Sequence, residues 1–297
     1  MSVVPQVLTL FVLMMIGLFA AKKRMMDDRA ISALSTLVLS FAQPALIIAR
    51  MQDEKDPSLL IDLVWVLVLS CVIMLITGTI ARKIFAKQPE KRKSILSVCL
   101  MGSNCGFMGY PVIEAAFGPG AVIYAVMFVT SFNFMSWTLG AYYFAGRKAM
   151  DPKRLVTNPS LIAVVFGIIL FLTGWRLPGF VNNALNSIGG TTTPLAMFVI
   201  GARLTGLSRE HLKDRQVLLT CLLRLVVFPL CVLLILRLFG LPDMVVKSLY
   251  LCTAMPFATM VAMQSEVFHS DTALASRAIA LSTALSLGTI PLMLLFV

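Results

Sequence analysis

Ser103-Asn104-Cys105-Gly106-Phe107-Met108-Gly109-Tyr110-Pro111 interrupts one long apolar run, and Met255-Pro256-Phe257 interrupts a second. Each run is long enough to cross a bilayer, yet each carries residues that suit a lipid-facing helix poorly. Glycine costs a helix interior about 1 kcal/mol against alanine, and proline roughly 3 kcal/mol. Irregular backbone persists at membrane depth only where protein buries it or water reaches it. Two interruptions at corresponding places in two halves point to a transporter's binding site. The plain alternative is a pair of kinks in a helical bundle.

The surrounding composition is that of a membrane protein. The 297 residues are 59% hydrophobic and only 13% charged, where soluble domains carry about 25% charged residues. The net charge of +11 comes from short Lys/Arg clusters between apolar runs, a pattern that orients helices and meets anionic lipid rather than nucleic acid. The six cysteines all lie in apolar runs without a CxxC spacing, and His211 and His269 stand alone. No metal site is therefore expected. The first run has no basic residue before it and Lys22-Lys23-Arg24 after it, the reverse of a signal peptide's order.

A bilayer core takes about 20 apolar residues per helix. That ruler gives ten runs: 3–21, 32–50, 59–81, 94–117, 120–146, 159–174, 181–204, 214–239, 245–268 and 273–297. The odd-numbered loops between them hold the basic clusters. The even loops hold only Arg50, Lys55, Arg176, Arg237 and Lys247. The positive-inside rule then puts odd loops in the cytoplasm and both termini outside. Pro44 in run two and Pro194 in run seven lie 150 positions apart, and runs four and nine follow a similar offset. Five runs per half is an odd number, so residues 1–150 and 151–297 are expected to form two five-helix repeats of inverted topology.

Asn104 is the foremost polar candidate, because an amide at membrane depth needs partners that a broken helix supplies. Half-helix N-termini from runs four and nine would together cradle a carboxylate. The expected substrate contacts are Asn104, Cys105, Gly106, Met255, Pro256, Phe257 and Gln43, with the alternative that Asn104 bonds only within the bundle. Arg224, some ten residues into run eight, costs about 2.5–3.5 kcal/mol to insert. It should face water, a carbonyl or one of Glu114, Glu266 and Asp62, or else snorkel to an interface. Gln43 and Thr191-Thr192-Thr193 stand beside Pro44 and Pro194 and could satisfy the carbonyls those prolines free, or line a path. Gln264 and Asn133 are candidates of the same kind, and Glu114 or Glu266 could carry a proton or pair with a cation. Ser103, Pro111, Pro44 and Pro194 are the expected helix-breaking positions. No catalytic pair stands out, so no enzyme is expected.

These motifs together resemble the auxin efflux carrier family, which includes the plant PIN-FORMED exporters and prokaryotic organic-acid carriers such as malonate transporters. Leu37–Leu46 with Gln43-Pro44 is similar to the family's second helix, and Asn104 with Gly109-Tyr110-Pro111 through Gly118 to its fourth. Asn158-Pro159-Ser160, Ala196-Met197-Phe198 with Gly201, Arg224 with Pro229, Met255-Pro256, and Ser282-Thr283 with Pro291 follow in the family's order. The resemblance implies an all-α fold of ten transmembrane helices. Helices 1, 2, 6 and 7 would form a scaffold domain against a transport domain of helices 3–5 and 8–10, which moves as an elevator. Helices 4 and 9 would break and cross at the substrate.

Two departures bear on the site. Plant exporters carry proline at the position of Ser103, so the break in helix 4 would rest here on Ser103 and Gly106. Phe257 stands where a polar residue often follows the helix-9 proline, which makes the site more apolar than an auxin site.

The expected activity is transport of a small organic anion, a mono- or dicarboxylate, across the cytoplasmic membrane. No cofactor is expected, with H+ or Na+ as coupling ions. The expected partners are the anion, membrane lipids and, through the scaffold domain, a second copy in a homodimer. A sodium-coupled symporter of the bile-acid symporter fold is the nearest alternative. A membrane receptor or scaffold is further off, since both termini end within a few residues of a helix.

Overall fold

The computed structural model describes residues 3–53, 59–149, 153, 156–206 and 214–297. Lys55 and His211 of the sequence reading, with the loop residues Arg154, Arg209 and Lys213 of the odd-numbered basic clusters, lie outside the described residues. Each of the ten predicted runs is helical, and the only extended pairing among the described residues is a single bridge. In chain order the helices are α1 (Val3–Lys22), α2 (28–53), α3 (Leu59–Ile84), α4 (Glu90–Met101), α5 (105–117), α6 (Pro119–Ala145) and α7 (Pro159–Thr173). There follow α8 (Gly179–Gly190), α9 (Thr192–Arg203), α10 (Arg215–Leu238), α11 (Asp243–Ala254), α12 (Met260–Val267) and α13 (Thr272–Leu294). Runs four, seven and nine are thus each two helices rather than one.

Local chemistry explains many of the ends. Asp27 accepts from Ala30 N at the start of α2, Asn158 from Ser160 and Leu161 N before Pro159 in α7, Asp214 from Gln216 and Val217 N in α10, and Asp271 from Leu274 N in α13. These are side-chain oxygens meeting N–H groups that a helix start leaves unpaired. The prolines act less as breaks than expected. Pro44, Pro111 and Pro229 each follow a π-helical turn, at Val38–Ala42, Cys105–Gly109 and Leu223–Val227. A π turn widens the helix by one residue. That moves the carbonyl a proline ring would strike and lets the helix continue. Pro194 sits in the first turn of α9, where few N–H groups have intrahelical partners to lose.

Among the described residues five helices are long and apolar enough to cross a membrane by length and composition: 28–52, 59–84, 119–145, 215–238 and 272–294. Their surroundings differ. Only 22% of the most apolar window of α3 is buried, against 78% for α6. α3 therefore presents Ile61, Val64, Val68, Val72 and Leu75 outward, as a lipid-facing helix does, whereas α6 is wrapped by its neighbours. Packing is reciprocal between the halves. α1 lies on α9 while α7 lies on α2, and α3 packs on α4 as α10 packs on α11. The α1–α9 contact is so close that a Cβ on Gly17 would lie 2.1 Å from Phe198 O, and one on Gly201 1.8 Å from Met14 O. Small residues that let backbones meet are the usual means of tight packing between membrane helices.

Candidate functional site: the crossing of two interrupted helices

Run four stops being helical at Gly102, which is extended (φ −104°, ψ 134°), and resumes at Cys105. Run nine stops at Met255 (φ −68°, ψ 150°), as expected of a residue whose successor is proline. The two gaps meet. Asn104 N–H donates to Pro256 O at 2.7 Å, Ala258 N–H to Gly102 O at 3.4 Å, and Ser103 and Phe257 form an antiparallel bridge. Phe257 N–H donates to Ser282 Oγ of α13 at 3.1 Å. Main-chain groups that a broken helix leaves open are therefore answered by the opposite break and its neighbour. Ser103 lies in the gap, but Gly106 and Pro111 do not. Gly106 belongs to the π turn of α5, and a Cβ there would come within 3.3 Å of Gln43 Nε2. The helix ends at Gly102, where an added Cβ would lie 2.7 Å from the Phe132 ring.

The crossing has an electrical polarity. α4 and α11 end there with free carbonyls and α5 and α12 begin there with free N–H groups. Arg224, 1% exposed, serves the carbonyl side. Its Nη1 donates to Leu100 O at 3.0 Å, with longer contacts of 3.5 Å from Nη1 to Met101 O and from Nε to Met255 O. Arg224 therefore meets carbonyls, and none of the three acids is its partner. Glu114 pairs with Arg50 at 2.6 Å, Asp62 accepts from Tyr124 Oη at 3.3 Å, and Glu266 is exposed.

Gln43 Nε2 donates to Gly106 O at 2.8 Å, so it supports α5 and not the carbonyl one turn behind its own proline. Gln264 Nε2 donates to Ser136 O at 2.6 Å, in the π turn Ser136–Gly140 of α6. Thr191 Oγ1 donates to Ile188 O at 2.6 Å, which is not the carbonyl of Gly190 that Pro194 leaves without its helical donor. Asn133 is buried on α6.

A cavity of about 640 Å³ reaches this crossing from the odd-loop end, within the usual range for small-molecule pockets. Asn104, Thr259 and Thr283 lie at the crossing side, Ile31, Ile200 and Ile279 along the wall, and Asp28, Arg203 and Arg277 toward the mouth. Of the expected substrate contacts, only Asn104 lines it. Cys105, Met255, Pro256 and Phe257 are buried away from it, and Gly106 on α5 faces Gln43 rather than the cavity. Sequence reasoning did not assign Thr259, Thr283, Arg203 or Arg277 to the site. The two arginines were visible only as loop charges, and a hydroxyl at a helix start carries no signal that tells lining from capping. Among the described residues no group of His, Cys, Asp and Glu could hold a metal ion.

The sequence profile of a family described as membrane transport protein matches residues 2–153 and 147–294. An uncharacterized transporter of Methanothermobacter thermautotrophicus is 30% identical over 96% of this chain and 95% of its own length. One of Methanocaldococcus jannaschii is 25% identical over 96% of each. The uncharacterized transporter YfdV of Escherichia coli is 21% identical over 77% of this chain and 76% of its own. With a profile match over nearly its whole length, the chain belongs to the membrane transport protein family of auxin efflux carriers.

Proposed function

We propose that the protein carries a small organic anion, a mono- or dicarboxylate, across the cytoplasmic membrane by alternating access. The observation that carries this reading is the paired main chain of the two breaks, Asn104 N–H on Pro256 O, lying beside a cavity that Asn104 and Thr259 line. There the N-terminal ends of α5 and α12 carry partial positive charge toward a ligand. Arg224 holds the opposing carbonyl ends, so their partial negative charge does not work against an anion. Asn104 and Thr259 supply neutral donors that fix the carboxylate's orientation, while the Thr283 hydroxyl beside them donates to Ile279 O.

In this reading the chain crosses the bilayer ten times as two inverted five-helix repeats, with both termini outside. The reciprocal packing of α1 on α9 and α7 on α2 supports it. A wall of α1, α2 and α7–α9 stands still while α3–α6 and α10–α13 move as an elevator. The cavity opens at the basic, cytoplasmic end. A sodium-coupled symporter is less well supported, because a hard cation seeks the oxygen ligands that the Arg224 guanidinium occupies.

A thermal-shift series of acetate, malonate and malate on the purified protein, in sodium and in potassium, tests the reading. A ligand that binds only the folded state raises its Tm. The expected result is stabilisation by at least one carboxylate, equal in both cations. Stabilisation only in sodium would turn the reading to the symporter, and none by any carboxylate would reject it.

A further inference from the structure

The two ends of the molecule carry matching arginines in unlike states. Arg50 lies in the last turn of α2, the second run of the first half, and Arg203 in the last turn of α9, which ends the second run of the other half. Arg203 lines the open cavity, and its Nη2 donates to a neutral oxygen, Ser35 Oγ at 3.0 Å. Arg50 stands at the opposite, even-loop end. Its Nη2 donates to Glu114 Oε1 at 2.6 Å, and Thr193 Oγ1 approaches Glu114 Oε2 at 3.5 Å. The Arg50 and Glu114 side chains are 22% and 28% exposed, and Arg50 Nε is buried with no hydrogen-bond partner among the described residues. Glu114 rides on α5, the half-helix whose N-terminal end adjoins Asn104. Any movement of α5 away from α2 must therefore separate Glu114 from Arg50. A partly buried guanidinium stripped of its carboxylate is costly. The separation becomes favourable when another carboxylate replaces the first.

We propose that Arg50 is a carboxylate-binding site in its own right, masked in this conformation by Glu114, and that the carboxylate of the anionic substrate takes Glu114's place when the even-loop end opens. The idea rests on the anion-transport reading above. It adds a residue that receives or releases the substrate at the far mouth. The balance is an exchange of one carboxylate for another on a single guanidinium, with no net change of charge at the arginine.

The test removes the mask. Full-length E114A is compared with wild type and with R50Q/E114A by thermal shift in detergent, using potassium malonate and potassium acetate against potassium chloride at equal ionic strength. The proposal expects the carboxylate-specific rise in Tm to be about twofold larger in E114A than in wild type, and the gain to vanish in R50Q/E114A. Equal rises in E114A and R50Q/E114A would overturn it. If E114A does not fold, E114Q, which keeps the side-chain volume, takes its place with the same two outcomes. Adding Asn104→Ala to E114A separates this claim from the one it rests on. The Arg50-dependent part of the shift should persist without Asn104. Its absence while wild type still binds carboxylate through Asn104 would reject the Arg50 site alone.

Discussion

The two interrupted helices meet as partners but contribute differently. In α4–α5 the chain leaves the helix at Gly102, a side chain, Asn104, reaches the cavity, and α5 is braced from outside by Gln43. In α11–α12 a proline imposes the extended turn, the main chain of Pro256 does the pairing, and Phe257 is wholly buried. One break thus brings the Asn104 amide to the cavity, while the other brings the smaller Thr259 hydroxyl and backbone over an apolar footing. A pair of related elements can share geometry and divide the chemistry. Arg224 is the residue common to both, since it reaches the ends of α4 and α11 together.

That asymmetry can be broken at defined points. The largest effect is expected from Arg224→Met, which leaves Leu100 O, Met101 O and Met255 O without their donor. Unsatisfied buried acceptors cost about 1–3 kcal/mol each. A loss of roughly 3–5 kcal/mol, seen as a Tm fall on the order of 10 °C, is the expected outcome. Both breaks should then exchange amide hydrogens faster. An unchanged Tm would mean that the two ends are held by something else. Gln43→Leu should act on one break only. It removes the donor to Gly106 O at a cost of about 1–3 kcal/mol, and faster hydrogen exchange should appear over 105–109 with 255–259 unaffected. Equal loosening of both would remove the distinction drawn here.

Much of this was legible before any coordinates. Gly, Asn and Pro inside apolar runs marked the interruptions, and a helix end or gap does fall within runs four, seven and nine. The unread part has a common cause. Arg224 and Gln43 bond to carbonyls of distant helices, and a carbonyl is the same at every position, so no sequence pattern names the acceptor. Proximity misled in the same way. Gln43 adjoins Pro44, yet a π turn already accommodates that proline and frees the amide to cross to α5. Glu114 looked available to a buried arginine, but the arginine it meets is Arg50, one turn from a helix end and unremarkable in sequence.

Smaller effects sharpen the comparison at the outer ends of the two half-helices. Arg92 near the start of α4 is bound to Asp214, the cap of α10, at 2.5 Å, whereas Asp243 at the start of α11 pairs within its own helix, with Lys247 at 2.8 Å. Partial burial raises the Asp214 pKa, but Arg92 and the N–H groups of Val217 and Gln216 outweigh it and hold the carboxyl below its usual value. A lowered pKa stabilises the fold above the unfolded value, near 3.9, and that contribution disappears as pH falls through the folded value. Asp214→Ala should cost about 1 kcal/mol at pH 7, with the Tm difference from wild type closing below about pH 3. A difference that persists in acid would assign the effect to packing. Asn104→Ala should change stability least of all, because its main-chain bond to Pro256 survives, while the carboxylate-induced thermal shift disappears.

The central claim is that the crossing of the two broken helices holds the transported anion. A structure of the protein with a stabilising carboxylate bound tests it most directly. The account predicts density for the carboxylate between Asn104 and Thr259, at the inner end of the cavity. A ligand seated elsewhere, with Asn104 and the N-terminal ends of α5 and α12 untouched, would contradict it.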